Sequence, residues 1–210
     1  MYVHPAFKTA DEDAWAFVAK RGFGTLIAVD GRRPTAVHVP FLVDRSKVAP
    51  RIELHVARAN PIHSVIGMAP GVLLTVSGPD AYISPDWYVS AEQVPTWNYV
   101  AVHLSGTARA LEGAAAEDHV TRLSAAFEER LKPKAPWKMS KVSRAKMDAM
   151  LRAIVVIEVA VSGIEATRKL AQHKTKEDQA AVARMLSWQG DWNAAAIAEM
   201  MHAEQLRRSA

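Results

Sequence analysis

Apolar and polar positions alternate with period two along Arg51-Ile-Glu-Leu-His-Val-Ala57: Ile52, Leu54 and Val56 face one way, Glu53 and His55 the other. A half-buried β-strand gives that pattern, because successive side chains leave opposite faces of a pleated chain. The same alternation sets Val100, Val102 and Leu104 against Tyr99, Ala101 and His103 in a long stretch over residues 97–111. Runs rich in apolar and β-branched residues predict further strands at 23–30, 35–43, 72–78 and 154–167, with Asp30-Gly31 as the turn of a first hairpin.

Helical spacing appears elsewhere. Thr9-Ala-Asp-Glu12 reads as a capping box that starts a helix ending near Arg21, and Gly22 suits the left-handed position beyond its last turn. Val120, Leu123 and Phe127 form an apolar stripe in a helix over 116–131. Further helices are predicted near 143–152, 180–187 and 193–206, with a cap at Thr175-Lys-Glu-Asp178 and a short helical piece opening at Asn60-Pro61. Residues 79–95 hold three prolines and several aromatics without periodicity, which predicts an irregular packed loop. About six strands without strict β-α alternation, and with helices at one end, between late strands and at the tail, favour a small antiparallel barrel with peripheral helices: a mainly β, α+β fold.

Composition narrows the function. The chain has 210 residues, 50% hydrophobic and 23% charged, so it can bury a real core and does not have a disordered composition. The longest apolar run, 153–161, is interrupted by Glu158 and is far too short for a membrane span. The first residues lack a basic region followed by an apolar one, so a cytoplasmic location is expected. With no cysteine, disulfides, thiolate metal sites and a cysteine nucleophile are excluded. Gly22-Phe-Gly24 lacks the third glycine and the strand context of a dinucleotide fingerprint, and neither a nucleophile elbow nor a phosphate loop is present. Glu199-Met-Met-His202 occurs once, in the tail, where a di-iron site needs two copies, and no metal site is expected.

Two segments carry candidate chemistry. Tyr82, Trp87, Tyr88 and Trp97, with Tyr99 beside them, stand among hydroxyl and amide groups in the proline-stiffened region; they can wall a planar ligand or simply pack the barrel end. Between Arg130 and Arg152 eight Lys or Arg face one acid, Asp148, which can meet phosphates or form a solvated face. The net charge of +4 is a modest footprint for DNA, and no helix-turn-helix is visible.

Read as blocks, Met1-Tyr-Val-His-Pro-Ala-Phe7, Val37-His-Val-Pro-Phe-Leu, His55-Val-Ala-Arg-Ala-Asn-Pro61, Gly78-Pro-Asp-Ala-Tyr-Ile-Ser-Pro-Asp-Trp-Tyr88, Val94-Pro-Thr-Trp-Asn-Tyr99 and Lys169-Leu-Ala-Gln172 resemble, in order, the signature segments of the PaiB-type family, described as FMN-binding negative transcriptional regulators. The resemblance implies a six-stranded antiparallel split β-barrel over residues 1–170, followed by a helical extension, 171–210, packed on the barrel or on a dimer partner. It also implies a homodimer that holds FMN at its interface. The matching cofactor positions are His38, Val39, Pro40 and Phe41 on one strand and His55, Val56, Ala57 and Arg58 on the next, with Arg58 on the phosphate. Asn60, Thr96, Trp97 and Asn98 are then candidates for the ring and ribityl chain, with Lys169 and Gln172 approaching from the late strand. The chain departs from the family at Ala171 and His173, where Ser and Asn are usual, and at Ile62-His63, where an aromatic is usual. The resemblance implies a regulator, with direct DNA contact weakly supported; the alternatives are an FMN-dependent reductase or oxidase of a small molecule and, less favoured, a haem-binding split barrel.

Overall fold

The structure, a computed structural model, describes residues 1–46, 48–111 and 115–209. Among them, six strands close into a barrel: β1 (Phe23–Val29), β2 (Pro34–Asp44), β3 (Arg51–Ala57), β4 (Gly71–Ile83), β5 (Thr96–Leu111) and β6 (Ile154–Lys169), in the order β1-β2-β3-β6-β5-β4. Six helices accompany them: α1 (Asp11–Arg21), α2 (Ile62–Met68), α3 (Ala115–Glu129), α4 (Arg144–Arg152), α5 (Lys176–Trp188) and α6 (Trp192–Ser209).

Two compact units are discernible. The larger comprises Phe17–Val76 and Leu104–Ile164. Its register follows the alternation in the sequence: β2 pairs with β3 through Phe41 and Leu54, and β3 with β6 through Ile52 and Val159. Leu26, Phe41, Ile52, Leu54, Leu74 and Leu104 are fully buried. Burial of each contributes about 1.5–3 kcal/mol. Gly22, at φ 58°, ends α1 in the left-handed conformation that a side chain resists. The Asp30 carboxylate closes the first hairpin by accepting from the Arg32 and Arg33 amides.

The buried face of α3 differs from the expected stripe. His119 and Leu123, four residues apart, are its buried positions, whereas Val120 and Phe127 are only half-buried. A hydropathy pattern gives no reason to bury an imidazole, which requires polar partners inside.

The smaller unit comprises Met1–Ala16, Ser77–His103 and Glu165–Ala210. Here Ala81 and Ile83 of β4 and Leu170 pack with Val182, Ala183 and Leu186 of α5 and Ala194, Ile197, Ala198 and Met201 of α6. The Thr175 hydroxyl caps α5 by accepting from the Asp178 amide. The expected irregular stretch is shorter than the sequence suggests, because β4 continues through Ile83 and a single 3-10 turn follows at Pro85–Trp87. Pro79 does not interrupt the strand, as proline is tolerated where its missing N–H is not needed by the ladder. Trp87 and Tyr88 pack against the core of this unit, while Tyr82 and Trp97 are exposed and meet edge to face, their centroids 6.1 Å apart.

Candidate functional site

In the larger unit the end of β3 turns into α2 through Arg58. The Arg58 amide donates to the Ala153 carbonyl at 2.7 Å, its Nε to the Arg152 carbonyl and its Nη2 to the Ile154 carbonyl, both at 2.8 Å. A guanidinium carries five N–H hydrogens, so three remain to offer a ligand. The side chain is exposed and borders a hollow of about 570 Å³ with His63, Leu111, Glu117, Leu151 and Arg152. His63 is fixed there by a 2.9 Å hydrogen bond between Nε2 and the Arg58 carbonyl. Asn60 stands just before α2, its side-chain oxygen accepting the Ile62 amide at 3.0 Å.

The remaining positions of these two strands divide by parity. Val39, Phe41 and Val56 point into the barrel and are buried, so they shape the wall from behind. Pro40 is half-buried and Ala57 exposed. His38 is exposed on β2 and its Nδ1 lies 2.9 Å from the Thr25 hydroxyl. His55 shares the outer face of β3 with Glu53, and its Nδ1 is 2.9 Å from Nε2 of the buried His119.

In the smaller unit Lys169 and Thr96 come together, with the ammonium donating to the hydroxyl at 2.5 Å. They line a hollow of about 320 Å³ with His4, Phe7, Tyr88, His173 and Lys174. Two cations stand by two aromatic faces: Lys169 Nζ is 5.8 Å from the Phe7 ring centroid and Lys174 Nζ is 5.2 Å from that of Tyr88. Such contacts are attractive through the ring quadrupole. Burial holds the Lys169 ammonium below its ordinary pKa. Burial, then the neighbouring Lys174, Lys169 and His4, does the same to His173, so its imidazole favours the neutral form.

Three expected site residues lie outside this lining. Gln172 is engaged in its own turn: its Oε1 accepts the Leu170 amide at 2.7 Å and its Nε2 donates to the Arg168 carbonyl. Ala171, at φ 61°, sits within that turn, a left-handed conformation uncommon for a residue with a Cβ. Asn98 follows the parity of Val100 and Val102 and is fully buried, its amide donating to the Met201 sulfur at 3.5 Å. Trp97 points outward to Tyr82. Lys174 and His119 stand outside any motif and are brought in by the fold alone; His4 and Phe7 belong to the first signature segment and His63 to a departure from the family, and the structure adds these three to the linings.

The donor sets fit FMN. Three guanidinium N–H groups beside an imidazole suit a phosphate, and aromatic faces with an ammonium and a hydroxyl suit a flavin ring or its polyol chain.

A six-stranded closed barrel flanked by helices, carrying cationic and aromatic hollows, is the split-barrel class of flavin-binding fold. Solved structures of that architecture agree: a conserved hypothetical protein from Mycobacterium tuberculosis superimposes with a TM-score of 0.58 at 14% identity, over 80% of this chain and 90% of the other. A protein from Mycobacterium smegmatis described as binding FAD and haem gives 0.55 at 14% identity, over 88% and 80%. The family described as "Putative FMN-binding domain" matches residues 1–163, and the chain belongs to that family, whose cofactor is FMN. It is also 33% identical, over 96% of both chains, to the Bacillus subtilis protein named Protease synthase and sporulation protein PAI 2.

Proposed function

We propose that this protein is an FMN-binding regulator of the PaiB type that acts as a homodimer and lowers transcription of its targets, in the cytoplasm. The observation that carries the flavin reading is the Lys169 and Thr96 pair in a hollow walled by Phe7 and Tyr88. In this reading FMN lies at the dimer interface, where Arg58 is the candidate for the phosphate and Thr96 and Lys169 are candidates for the ring or ribityl chain. His173 stands where the family has Asn, and its ring nitrogens keep a hydrogen-bonding group in the same hollow. Residues 1–170 form the cofactor-carrying portion and 171–210 its helical extension. The regulatory half is supported by the signature blocks and by a relative named for protease synthesis and sporulation rather than for a substrate. When bound, FMN supplies redox chemistry and a visible chromophore.

Direct DNA contact has less behind it. Of the eight basic residues in 130–152, four are engaged internally: Arg130 with the Ala19 and Lys20 carbonyls, Lys132 with Glu129, Lys134 with Glu128, and Arg144 with Glu117 and Asp148. A partner that carries the DNA contact suits this surface better.

The test is a visible spectrum of the purified protein after incubation with FMN and desalting, with light scattering for its mass. Retained flavin bands on a dimer are expected. A colourless monomer overturns the reading, and bleaching of the bands by anaerobic NAD(P)H would turn it towards a reductase.

A further inference from the structure

The larger unit contains a chain of polar groups that ties His55, one of the cofactor positions the resemblance implies, to residues that the FMN reading does not use. Glu53 and His55 stand two residues apart on the outer face of β3, and α3 lays His119 over them with its side chain fully buried. His119 Nδ1 is 2.7 Å from Glu53 Oε1, and its Nε2 is 2.9 Å from His55 Nδ1. The same Glu53 oxygen accepts from Arg122 Nη2 at 2.6 Å, and Arg122 is held in turn by Asp118 at 2.8 Å.

These contacts fix where the hydrogens lie. A carboxylate beside a guanidinium is ionised and can only accept, so His119 Nδ1 carries a hydrogen. Burial favours the uncharged form of His119, and Arg122 adds to this, against the opposing pull of Glu53 and Asp118. A neutral His119 has a lone pair on Nε2, so the hydrogen between the two rings belongs to His55 Nδ1. Burial, and then His119, likewise disfavour a charged His55. Its Nε2 is left as a lone pair, the reverse of the tautomer that predominates for histidine in water. That atom has no hydrogen-bond partner among the described residues, and it is not among the buried polar atoms left without one. The His55 side chain is itself only half-buried. The Cα partner of His55 on β6 is Val156, which lines the Arg58 hollow.

We propose that His119 is a positioning residue: with Glu53 it locks His55 in the Nδ1–H tautomer, and His55 Nε2 then accepts a hydrogen bond from a donor on the bound flavin nucleotide, a ribityl hydroxyl or the ring N–H. The ligand half rests on the FMN reading; the tautomer half does not. His119 thus acts through His55 without touching the cofactor, as second partners orient the histidines that bind metals.

Long-range proton–nitrogen NMR of the ligand-free, ¹⁵N-histidine-labelled protein reads the tautomer directly. The expected wild-type spectrum shows His55 protonated at Nδ1 and bare at Nε2. In His119→Phe the lock is gone, and His55 should move to the Nε2–H form. His119→Gln should restore the lock, because its amide can donate to Glu53 while its carbonyl accepts from His55. Flavin fluorescence titration should show FMN binding weakened about ten-fold in the Phe variant, the effect of one lost hydrogen bond, and close to wild type in the Gln variant. A wild-type His55 protonated at Nε2 overturns the tautomer half, and it does so without any variant having to fold. A tautomer that switches in His119→Phe while FMN affinity stays unchanged overturns the ligand half. A wild-type chain that takes up no FMN refutes the ligand half together with the proposed function, and leaves the tautomer to the NMR result.

Discussion

The carboxylate of Asp178 takes both hydrogens that Ser90 can offer, the amide at 2.9 Å and the hydroxyl at 2.8 Å, and adds the Val89 amide at 2.8 Å. One acidic residue at the start of α5 thereby holds the segment that follows the 3-10 turn, next to Tyr88 of the aromatic hollow. Burial alone would push this carboxyl up, but the Ser90 and Val89 bonds, with Thr175, outweigh it and hold it below its ordinary value. Asp178→Ala removes three acceptor contacts at once and should cost about 3 kcal/mol, since unsatisfied donors and lost charge-assisted bonds both count. Urea unfolding gives the cost, and hydrogen exchange at the Val89 and Ser90 amides should speed up.

Arg58 is tied to the Arg152 and Ile154 carbonyls and is proposed to take the FMN phosphate, and its variants should separate the two. Arg58→Ala is expected to weaken FMN binding roughly ten- to a hundredfold, the loss of a charge-assisted contact worth about 1.5–3 kcal/mol. It should also lower the melting temperature, because the Arg152 and Ile154 carbonyls lose their donors. Arg58→Lys keeps the charge but not the fork geometry, and should recover part of the affinity. Full affinity in the alanine variant would move the phosphate elsewhere.

Stability should depend on pH in part through two imidazoles, the buried His119 and the half-buried His55. His55 and His119 both have pKa values lowered from 6.5, with burial as the first cause. The unfolded chain therefore binds more protons than the folded one between the depressed values and 6.5. Folding stability is full above that window and falls as pH drops through it, and it levels off once the folded imidazoles are themselves charged. Urea midpoints across mildly acid pH should follow this slope in the wild type, and less steeply in His119→Gln.

Gly106 is required by close approach rather than by a turn. A Cβ built on it would stand 2.3 Å from the Ala160 carbonyl oxygen on β6, a backbone atom that cannot step aside. Gly106→Ala should destabilise the barrel by about 3 kcal/mol or more, as overpacking against rigid backbone does. An unchanged unfolding midpoint would mean that the two strands lie further apart than described.

The barrel was legible because period-two alternation survives in strands with one buried face, as at Ile52, Leu54 and Val56. The cap of α5 was legible too: the Thr175 hydroxyl and the Asp178 amide meet as their spacing suggests. Parity could also have placed Asn98, since it stands two residues before Val100, but its motif suggested a ligand contact and the fold gives it Met201. His119 was hidden for a different reason. A polar residue on a buried helix face carries no hydropathic signal, and its partners Glu53 and His55 lie more than sixty residues away in the chain. The hollow around Lys169 was half legible: His4, Phe7, Thr96 and Lys169 belong to signature segments, but that the first segment meets the late strand, and that Lys174 joins them, comes only through tertiary structure.

Arg130 lays its guanidinium over the Phe127 ring, 4.3 Å from the centroid, while donating to the last carbonyls of α1. Its positive charge is already answered inside the fold, and what it gives the protein is mechanical, a strap across the end of a helix. Lys146, in the same basic run, has no such tie among the described residues and contributes field. Replacing either with glutamine lowers the formal charge by the same amount, yet the first change should loosen a helix and the second should alter only how the surface meets salt and polyanions. Charge counted along a chain is thus a poor guide to charge felt outside it.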